Sequence, residues 1–398
     1  MTEEKLKVDT QKTEITMWSE KKITDFRSHF LSWYDLEKRT LPWRENNDPY
    51  RIWVSEIMLQ QTRVDTVIPY YLNFMKLFPT IADLAAAEED TLLKAWEGLG
   101  YYSRVRNLQK AAIQIMNEFS GEMPTKPEDI AILKGIGPYT TGAISSMAFQ
   151  LPVPAVDGNV MRVVSRLFEI SEDIAKPASR KTFEAIMNQI IDPYKPGDFN
   201  QAMMDLGSST CTPTTPTCNL CPINEFCQAF EAGTMTQYPV KSKKKKAKPV
   251  YYAGLLIQNE RGEFLIEKRP AEGLLANMWT FPLLPEELLT VGTGLKIGKL
   301  NDKLPETIET QVLNNLSAES RQRYQIEPIW LKKPFGEVVH LFSHLKWFIT
   351  SYYGKMSSEM LTEAPENCLW VHPSDFENYT FPGPQQKMWK SYLTKFEK

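Results

Sequence analysis

Four cysteines that lie close together in the chain restrict its fold more than any other feature. The stretch CTPTTPTCNLCPINEFC covers residues 211–227, while the fifth cysteine, Cys368, stands alone. Four thiols at such short spacing favour a metal site in a reducing compartment over a set of disulfide bonds. Spacing alone fits either zinc or an iron–sulfur cluster. The predicted ligands are Cys211, Cys218, Cys221 and Cys227.

The chain up to this cluster has the hydrophobic pattern of helices. Apolar residues recur at helical spacing over residues 18–235. Asp48 is the expected N-cap of a helix whose first residue is Pro49. We predict a second helix in SRVRNLQKAAIQIMNEFSG, with Ser103 as its cap, and a third over 127–134.

The pattern changes at the lysine-rich stretch KSKKKKAK, residues 241–248, which we interpret as a solvated linker, with weak DNA contact or a targeting signal as the alternatives. Beyond it, residues 250–269 alternate around a turn at 259–262 and predict a β-hairpin. Residues 336–353 form another strand-rich segment. The predicted organisation is a helical domain over 1–237, a linker over 238–249 and a mixed α/β domain over 250–398.

Charge and hydropathy exclude some classes of protein. The formal net charge of −3 gives no overall basic character, so any nucleic-acid binding depends on local features. The first 17 residues lack the apolar core of a secretory signal, and no apolar run is long enough to span a bilayer. We therefore expect a protein of the cytoplasm with no membrane partner.

A glycine turn, LKGIGPYTTGA, separates two predicted helices at residues 133–143. Gly135 and Gly137 permit backbone conformations that other residues avoid. Their amides, placed before a helix that starts near Pro138, predict a site for a phosphate group without any positive side chain. A plain helix–helix turn is the alternative interpretation of the same residues.

This turn, the segment PVPAVDGNVMRV and the cysteine spacing together resemble the helix-hairpin-helix DNA glycosylase superfamily. The resemblance implies that Gly135 and Gly137 hold a DNA backbone and that Asp157 is a catalytic carboxylate. It also selects a [4Fe–4S] cluster for the four cysteines, as in the endonuclease III-like branch. The implied fold is a mainly α glycosylase domain, with a six-helix module and an iron–sulfur module.

Four longer motifs narrow the resemblance. LPWR, SEIMLQQTRV, GLGYYSRVRNL and FNQAMMDLG are similar to the adenine DNA glycosylase family. Members of that family remove adenine that is mispaired with 8-oxoguanine or with guanine. The implied partner is therefore double-stranded DNA that contains such a mispair, bound by a monomer.

The resemblance assigns the chemistry to a small group of residues. Glu56 lies on an otherwise apolar helix, where burial raises a carboxyl pKa, and by resemblance it protonates the adenine. Asp157 then stabilises the positive charge on the sugar, or serves as a helix N-cap, or does both. Tyr139 and Asn159 match positions that support it. A tyrosine at 139, where strand-cutting relatives have a lysine, predicts a monofunctional enzyme and leaves only weak lyase activity open for Lys134.

Other matched positions predict contacts with the substrate. The base must leave the duplex to be reached, and protein side chains are expected to fill its place. The positions expected to line the adenine pocket are Trp43, Arg44 and Gln201. Those expected to enter the duplex are Gln61, Thr62, Leu99 and Tyr101.

Residues 250–398 resemble the Nudix-like, lesion-reading domain of the same family. The segment GLLANMWTFPLLPEELL lacks the carboxylates of the Nudix hydrolase signature, so nucleotide hydrolysis is not expected. Phe342, Ser343 and His344 match the loop that contacts 8-oxoguanine. Two alternatives remain from the sequence: an endonuclease III-like glycosylase/lyase, and an iron–sulfur DNA-binding protein without catalysis.

Overall fold

The computed structural model describes residues 15, 18–243, 246–357 and 363–397. The described chain forms two compact units. One contains the residues up to Ala87 together with Ser103–Lys243, and the other contains Glu88–Tyr102 together with the residues from 246 onward. The predicted domain limits did not foresee that Glu88–Tyr102 groups with the second unit, and they stay a prediction. Most of the first 17 residues and part of the lysine-rich stretch lie outside the described residues.

The helices are numbered along the chain. They are α1 (Glu20–Glu37), α2 (Pro49–Leu59), α3 (Val64–Leu77), α4 (Ile81–Ala86), α5 (Glu89–Ala95), α6 (Ser103–Glu118), α7 (Pro127–Ala131), α8 (Pro138–Phe149), α9 (Gly158–Leu167), α10 (Arg180–Ile190), α11 (Pro196–Ser209), α12 (Gln228–Glu231), α13 (Glu286–Leu289), α14 (Glu306–Tyr324) and α15 (Gly383–Phe396). None of the described helices is long and apolar enough to cross a membrane.

Helix starts agree with the sequence better than helix ends. The Asp48 carboxylate accepts hydrogen bonds from two backbone amides of α2, whose first residue is Pro49, as predicted. Ser103 is the first residue of α6 rather than its cap. Helix α7 ends at Ala131, short of the predicted residue 134, because the chain already turns there toward Gly135, whose φ is +80°.

Two glycines allow close packing where the first unit forms its cavity. A Cβ at Gly142 of α8 would lie 2.1 Å from the carbonyl oxygen of Pro154, so α8 packs directly on the segment that leads to Asp157. A Cβ at Gly207 of α11 would lie 2.7 Å from the Cβ of Asn159, at the start of α9. These contacts bring α8 against the segment before α9, and the start of α9 against α11.

The second unit is built on a mixed sheet. Its strands are β1 (Lys248–Gln258), β2 (Phe264–Lys268), β3 (Trp279–Thr280), β4 (Leu283–Pro285), β5 (Ile329–Trp330), β6 (Gly336–Leu341), β7 (Leu345–Lys355) and β8 (Cys368–Val371). The path β3-β2-β1-β7-β5 runs through the sheet, with β1 and β7 parallel along their whole length. Apolar clusters cover both faces, and α14 contributes to one and α15 to the other.

The two predicted strand segments of this unit behave differently. Residues 250–269 form the expected antiparallel pair β1–β2. In the turn, the side-chain oxygen of Asn259 accepts hydrogen bonds from two backbone amides. Residues 336–353 form two antiparallel strands, β6 and β7, with residues 342–344 as the turn between them. The predicted fold class, a helical domain followed by a mixed α/β domain, is confirmed.

Candidate active site

An open cavity of about 1200 Å³ lies in the first unit. It is bordered by α2, α8, the start of α9, and α11. The structure brings together here every candidate catalytic, base-binding and backbone-binding residue that the sequence places in this unit. These lining residues are Trp43, Arg44, Glu56, Gln61, Thr62, Gly135, Gly137, Tyr139, Asp157, Asn159 and Gln201.

Glu56 is a buried carboxyl group on the cavity face of α2. Only 4% of the residue is exposed. Burial raises its pKa from 4.5 to about 7, although the hydrogen bond from Tyr139 and the positive charge of Arg44 act in the opposite direction. A carboxyl group with such a pKa holds or releases a proton near neutral pH.

Tyr139 is the partner of Glu56. Pro138 starts α8, so Tyr139 lies in its first turn and its hydroxyl donates to Oε2 of Glu56. The same hydroxyl oxygen is 3.6 Å from the sulfur of Met204 on α11. Burial, together with the nearby carboxyl groups, raises the pKa of Tyr139 well above its ordinary value, so this phenol remains a donor.

Asp157 is the N-cap of α9, as the sequence allowed. Its Oδ1 accepts from the amides of Asn159 (2.8 Å) and Val160 (2.7 Å), and its Oδ2 accepts from Nδ2 of Asn159 at 2.8 Å. Burial raises the pKa of Asp157, whereas these three hydrogen bonds and the charge of Arg162 lower it. The side chain is thus fixed in one orientation with three donors directed at its oxygens.

Arg162, which the sequence analysis did not single out, holds Asn159 from behind. Its Nη2 donates to Oδ1 of Asn159 at 2.9 Å and to the carbonyl oxygen of Gly207 at 2.6 Å. Its Nε donates to the carbonyl oxygen of Cys211 at 2.7 Å. A buried guanidinium therefore connects the start of the cysteine loop with the support of Asp157.

Asp205 is a second residue that the sequence analysis missed. Its buried carboxylate accepts two hydrogen bonds from Arg44, at 2.7 and 3.1 Å, and others from Arg39. Arg44 also lies 5.9 Å from the centre of the Tyr34 ring. Asp205 follows Gln201 by four residues on α11, and this spacing places both on one helix face. The four-residue spacing from Gln201 could therefore have identified Asp205 from the sequence.

The glycine turn borders the same cavity. A Cβ at Gly135 would lie 2.7 Å from the Cβ of Asn107, and φ is positive there, so both packing and backbone require glycine. Gly137 is the N-cap of α8 and has open space around its Cα. Lys134 does not border this cavity but lines a separate pocket of about 90 Å³ next to Trp53.

The cysteine loop follows α11. Cys211, Cys218, Cys221 and Cys227 are free and partly exposed. Nη1 of Arg166 lies 3.2 Å from the sulfur of Cys211, and burial followed by neighbouring cysteines raises the pKa of Cys227 to about 11. Among the described residues, no group of three or more His, Cys, Asp or Glu side chains is arranged to hold a metal ion. Metal binding by these cysteines stays a prediction.

The remaining predicted contact residues lie in the second unit. Phe342 begins the turn between β6 and β7 and packs edge-on against Trp347, with ring centres 4.9 Å apart. Ser343 and His344 are exposed at the tip. The Ser343 hydroxyl lies 3.5 Å from the hydroxyl of Tyr101, which is 46% exposed and has a φ of +49°. Leu99 is buried.

Known families match both halves of the chain. Residues 54–189 match the model of the HhH-GPD superfamily of base excision DNA repair proteins, and residues 253–391 match a NUDIX domain. The cavity and the fold around it therefore define a base excision repair protein with a Nudix-like second domain.

Relatives over most of the chain identify the family. Mouse adenine DNA glycosylase is 32% identical over 93% of this chain and 78% of its own length. The protein of that name from Buchnera aphidicola subsp. Schizaphis graminum is 36% identical over 72% and 82%. A thermostable thymine-DNA glycosylase of known structure, 27% identical, covers 53% of this chain and 98% of its own with a TM-score of 0.48. The chain belongs to the adenine DNA glycosylase family, and the two alternatives from the sequence are not favoured.

Proposed function

We propose that this protein is a monofunctional DNA glycosylase of base excision repair, which removes adenine opposite 8-oxoguanine or guanine and leaves an abasic site. The observation that carries the proposal is the buried Glu56–Tyr139 pair, which shares a cavity with the capped Asp157. The cavity volume of about 1200 Å³ exceeds the roughly 300–1,000 Å³ of typical ligand pockets. There is room for a base together with its sugar.

Glu56 acts as the acid in this proposal. Oε2 accepts the hydrogen bond from Tyr139, so the proton of the neutral acid belongs on Oε1. Transfer of that proton to N7 of a flipped-out adenine makes the base a better leaving group. The electron pair of the glycosidic bond then departs with the adenine, and the sugar becomes an oxocarbenium ion.

Asp157 stabilises that cation as a carboxylate, a form that its three donors and the charge of Arg162 favour although burial raises its pKa. Water then adds to the sugar carbon and gives up a proton to the carboxylate that Glu56 became on protonating the adenine, which completes the hydrolysis and restores the acid. The two carboxyl groups thus serve opposite purposes: Glu56 gives up a proton that burial helps it to hold, and Asp157 acts as the anion, a form that three hydrogen bonds and Arg162 favour.

Binding of the base falls to Trp43, Arg44 and Gln201. Arg44 is held by Asp205 through two hydrogen bonds, which fixes the direction of its guanidinium. Gly135 and Gly137 offer amides to a phosphate beside the same cavity. Gln61 and Thr62 are assigned to the duplex opening, and Phe342, Ser343 and His344 are assigned to the opposite base.

Four cysteines at 211, 218, 221 and 227 are proposed to bind a [4Fe–4S] cluster. Four thiols without disulfide partners fit such a group by their chemistry. When bound, the cluster would cross-link the loop whose Cys211 carbonyl accepts from Arg162. Iron and sulfide analysis of the purified protein tests this assignment. We further propose a monomer that acts on chromosomal DNA in the cytoplasm, in the nucleoid if the source is bacterial.

The function is tested on matched duplexes in which one adenine faces 8-oxoguanine, guanine or thymine. We expect excision from the first two, revealed as strand breaks only after alkali, and none from the adenine–thymine duplex. Breaks without alkali would show lyase activity and contradict the monofunctional assignment. Intact strands with alkali in every duplex would contradict the glycosylase activity itself.

A further inference from the structure

Segment 88–102 is joined to the second unit by polar contacts at several points. Nδ2 of Asn277 donates to Glu89 at 2.8 Å, and the Lys268 ammonium lies 3.3 Å from the carboxylate of Asp90. Both partners in the segment belong to α5. The pair at Asp90 is largely exposed, so it contributes little by itself.

The strongest of these contacts are made by Lys94 and Glu97, at the end of α5. Oε1 of Glu97 accepts from the backbone amide of Phe381 at 2.7 Å. Its Oε2 accepts from Nζ of Lys94 at 2.6 Å, and the same ammonium donates to the carbonyl oxygen of Tyr379 at 3.2 Å. The Glu97 side chain is only 18% exposed. Phe381 is itself buried, stacked on Phe281.

A short rigid loop follows Glu97 and leads to Tyr101. Gly98, Gly100 and Tyr101 all have positive φ, which defines a tight path. The indole of Trp96 donates to the carbonyl oxygen of Gly100 at 3.1 Å and closes the loop. These contacts connect Tyr101 to Glu97, four residues before it, through a closed loop.

Tyr101 meets Ser343 at the other end of this path, with their hydroxyl oxygens 3.5 Å apart. Ser343 lies at the tip of the β6–β7 hairpin, which is supported by the ring of Phe342 on Trp347. Two candidate contact residues that are 242 positions apart in the chain therefore lie side by side in one compact unit.

We propose that Lys94 and Glu97 are positioning residues for recognition of the base opposite adenine. They fasten the loop that carries Tyr101 to Tyr379 and Phe381, and Phe381 lies in the same apolar cluster as Val338 and Trp347 of the hairpin that carries Ser343. The two hydroxyl groups then form one preorganised reading surface. This inference rests on the proposed function, because it specifies how discrimination between 8-oxoguanine and guanine is achieved. Neither residue touches DNA in it.

The proposed role of Glu97 depends on the loop of Tyr101 being ordered before DNA binds. A loop that is already ordered loses less conformational freedom on binding. The free energy of a contact made only with the lesion then contributes fully to the preference for the lesion. Loss of the Glu97 contact leaves the buried Phe381 amide without its acceptor and frees the loop. The preference for 8-oxoguanine should then fall, while the chemistry in the first unit continues.

The test uses the full chain and single-turnover excision from 8-oxoguanine·adenine and guanine·adenine duplexes. Glu97→Ala is expected to lower the ratio of the two rate constants by roughly fivefold, and Glu97→Gln, which keeps an acceptor, by less. Glu97 and Ser343 act on the same recognition step. The ratio of rate constants for the double variant Glu97→Ala with Ser343→Ala should therefore match the ratio for Ser343→Ala alone within about twofold. Glu319→Gln is the matched control. The Glu319 side chain is 19% exposed, close to the exposure of Glu97, and it forms an ion pair with Arg323 at 3.0 Å.

A second measurement does not depend on excision. Hydrogen exchange of the DNA-free protein should become faster in peptides covering 98–102 and 342–344 in Glu97→Ala, and stay unchanged in Glu319→Gln. Unaltered exchange in both peptides, an unaltered ratio, equal losses on both duplexes, or fully additive effects with Ser343→Ala would each overturn the inference. A wild-type protein without excision refutes the proposed function instead, whereas excision without preference overturns the inference. The exchange result still decides whether Glu97 fastens the loop when excision is absent.

Discussion

The cavity of the first unit and the β6–β7 hairpin of the second unit differ most in how they treat polar groups. In the cavity, Glu56 is buried, and each of its neighbours Tyr139 and Asp157 has fixed hydrogen-bond partners. On the hairpin, Ser343 and His344 are exposed at the tip of a turn. Phe342 is anchored by ring contacts with His340 and Trp347.

The difference corresponds to two kinds of task. Proton transfer and stabilisation of a cation need groups whose pKa and orientation are set before the substrate arrives, and burial provides both. Recognition of a base, the task proposed for the hairpin, needs groups that are exposed, so that they can exchange water for the ligand. The same contrast predicts that changes in the cavity alter rate and pH dependence, whereas changes on the hairpin alter preference.

The largest effect is expected from Glu56→Gln. The amide keeps the acceptor for Tyr139 but cannot supply the proton, so single-turnover excision should fall by roughly 10²–10⁴-fold while duplex binding persists. In the wild type, excision should decline as the pH rises through about 7, because Glu56 then loses its proton. An excision rate within tenfold of wild type, or an unchanged pH profile in the variant, would remove Glu56 from the acid role.

The same substitution should stabilise the protein at alkaline pH. The pKa of Glu56 is raised from 4.5 to about 7 in the folded state, so its favourable contribution is complete below pH 4.5 and is lost as the pH rises through 7. Above that pH the buried carboxylate costs about 3 kcal/mol, which glutamine avoids. Urea or thermal unfolding at pH 5 and pH 8 measures the difference, which should appear at pH 8 and shrink at pH 5.

Ser343→Ala serves as the counterpart in that experiment. Its stability relative to wild type should not depend on pH, because the exposed hydroxyl does not titrate in this range. Equal stability of Glu56→Gln and wild type at pH 8 would mean that the carboxylate is better solvated than its burial indicates.

The smallest effect is expected on the hairpin. Ser343→Ala, alone and with Phe342→Ala, should lower the preference for 8-oxoguanine over guanine by about tenfold, since one hydrogen bond made only with the lesion is lost. Excision from the guanine·adenine duplex should stay within about threefold of wild type. Rate constants and dissociation constants, measured on both duplexes, separate a loss of preference from a general loss of excision. An equal fall in rate on both duplexes would contradict the prediction that changes on the hairpin alter preference rather than the rate of excision.

Much of the cavity could be predicted from the sequence because its residues lie in short motifs at helix starts. Asp48 and Asp157 are N-caps, a role that depends only on the next three residues, and Pro138 fixes the start of α8 and with it Tyr139. The glycine at 135 likewise follows from a local backbone conformation. Such features are determined within a few residues and survive in any tertiary context.

Other features depended on residues far apart in the chain, and only the tertiary structure decided them. The hydrogen bond from Tyr139 to Glu56 spans 83 positions, and the pairing of Arg44 with Asp205 spans 161 positions. Segment 88–102 belongs to the second unit, and among its contacts there is the hydrogen bond between Glu97 and Phe381, which are 284 positions apart. No local pattern encodes these pairs, because each forms only after the hydrophobic cores have brought separate helices and loops together.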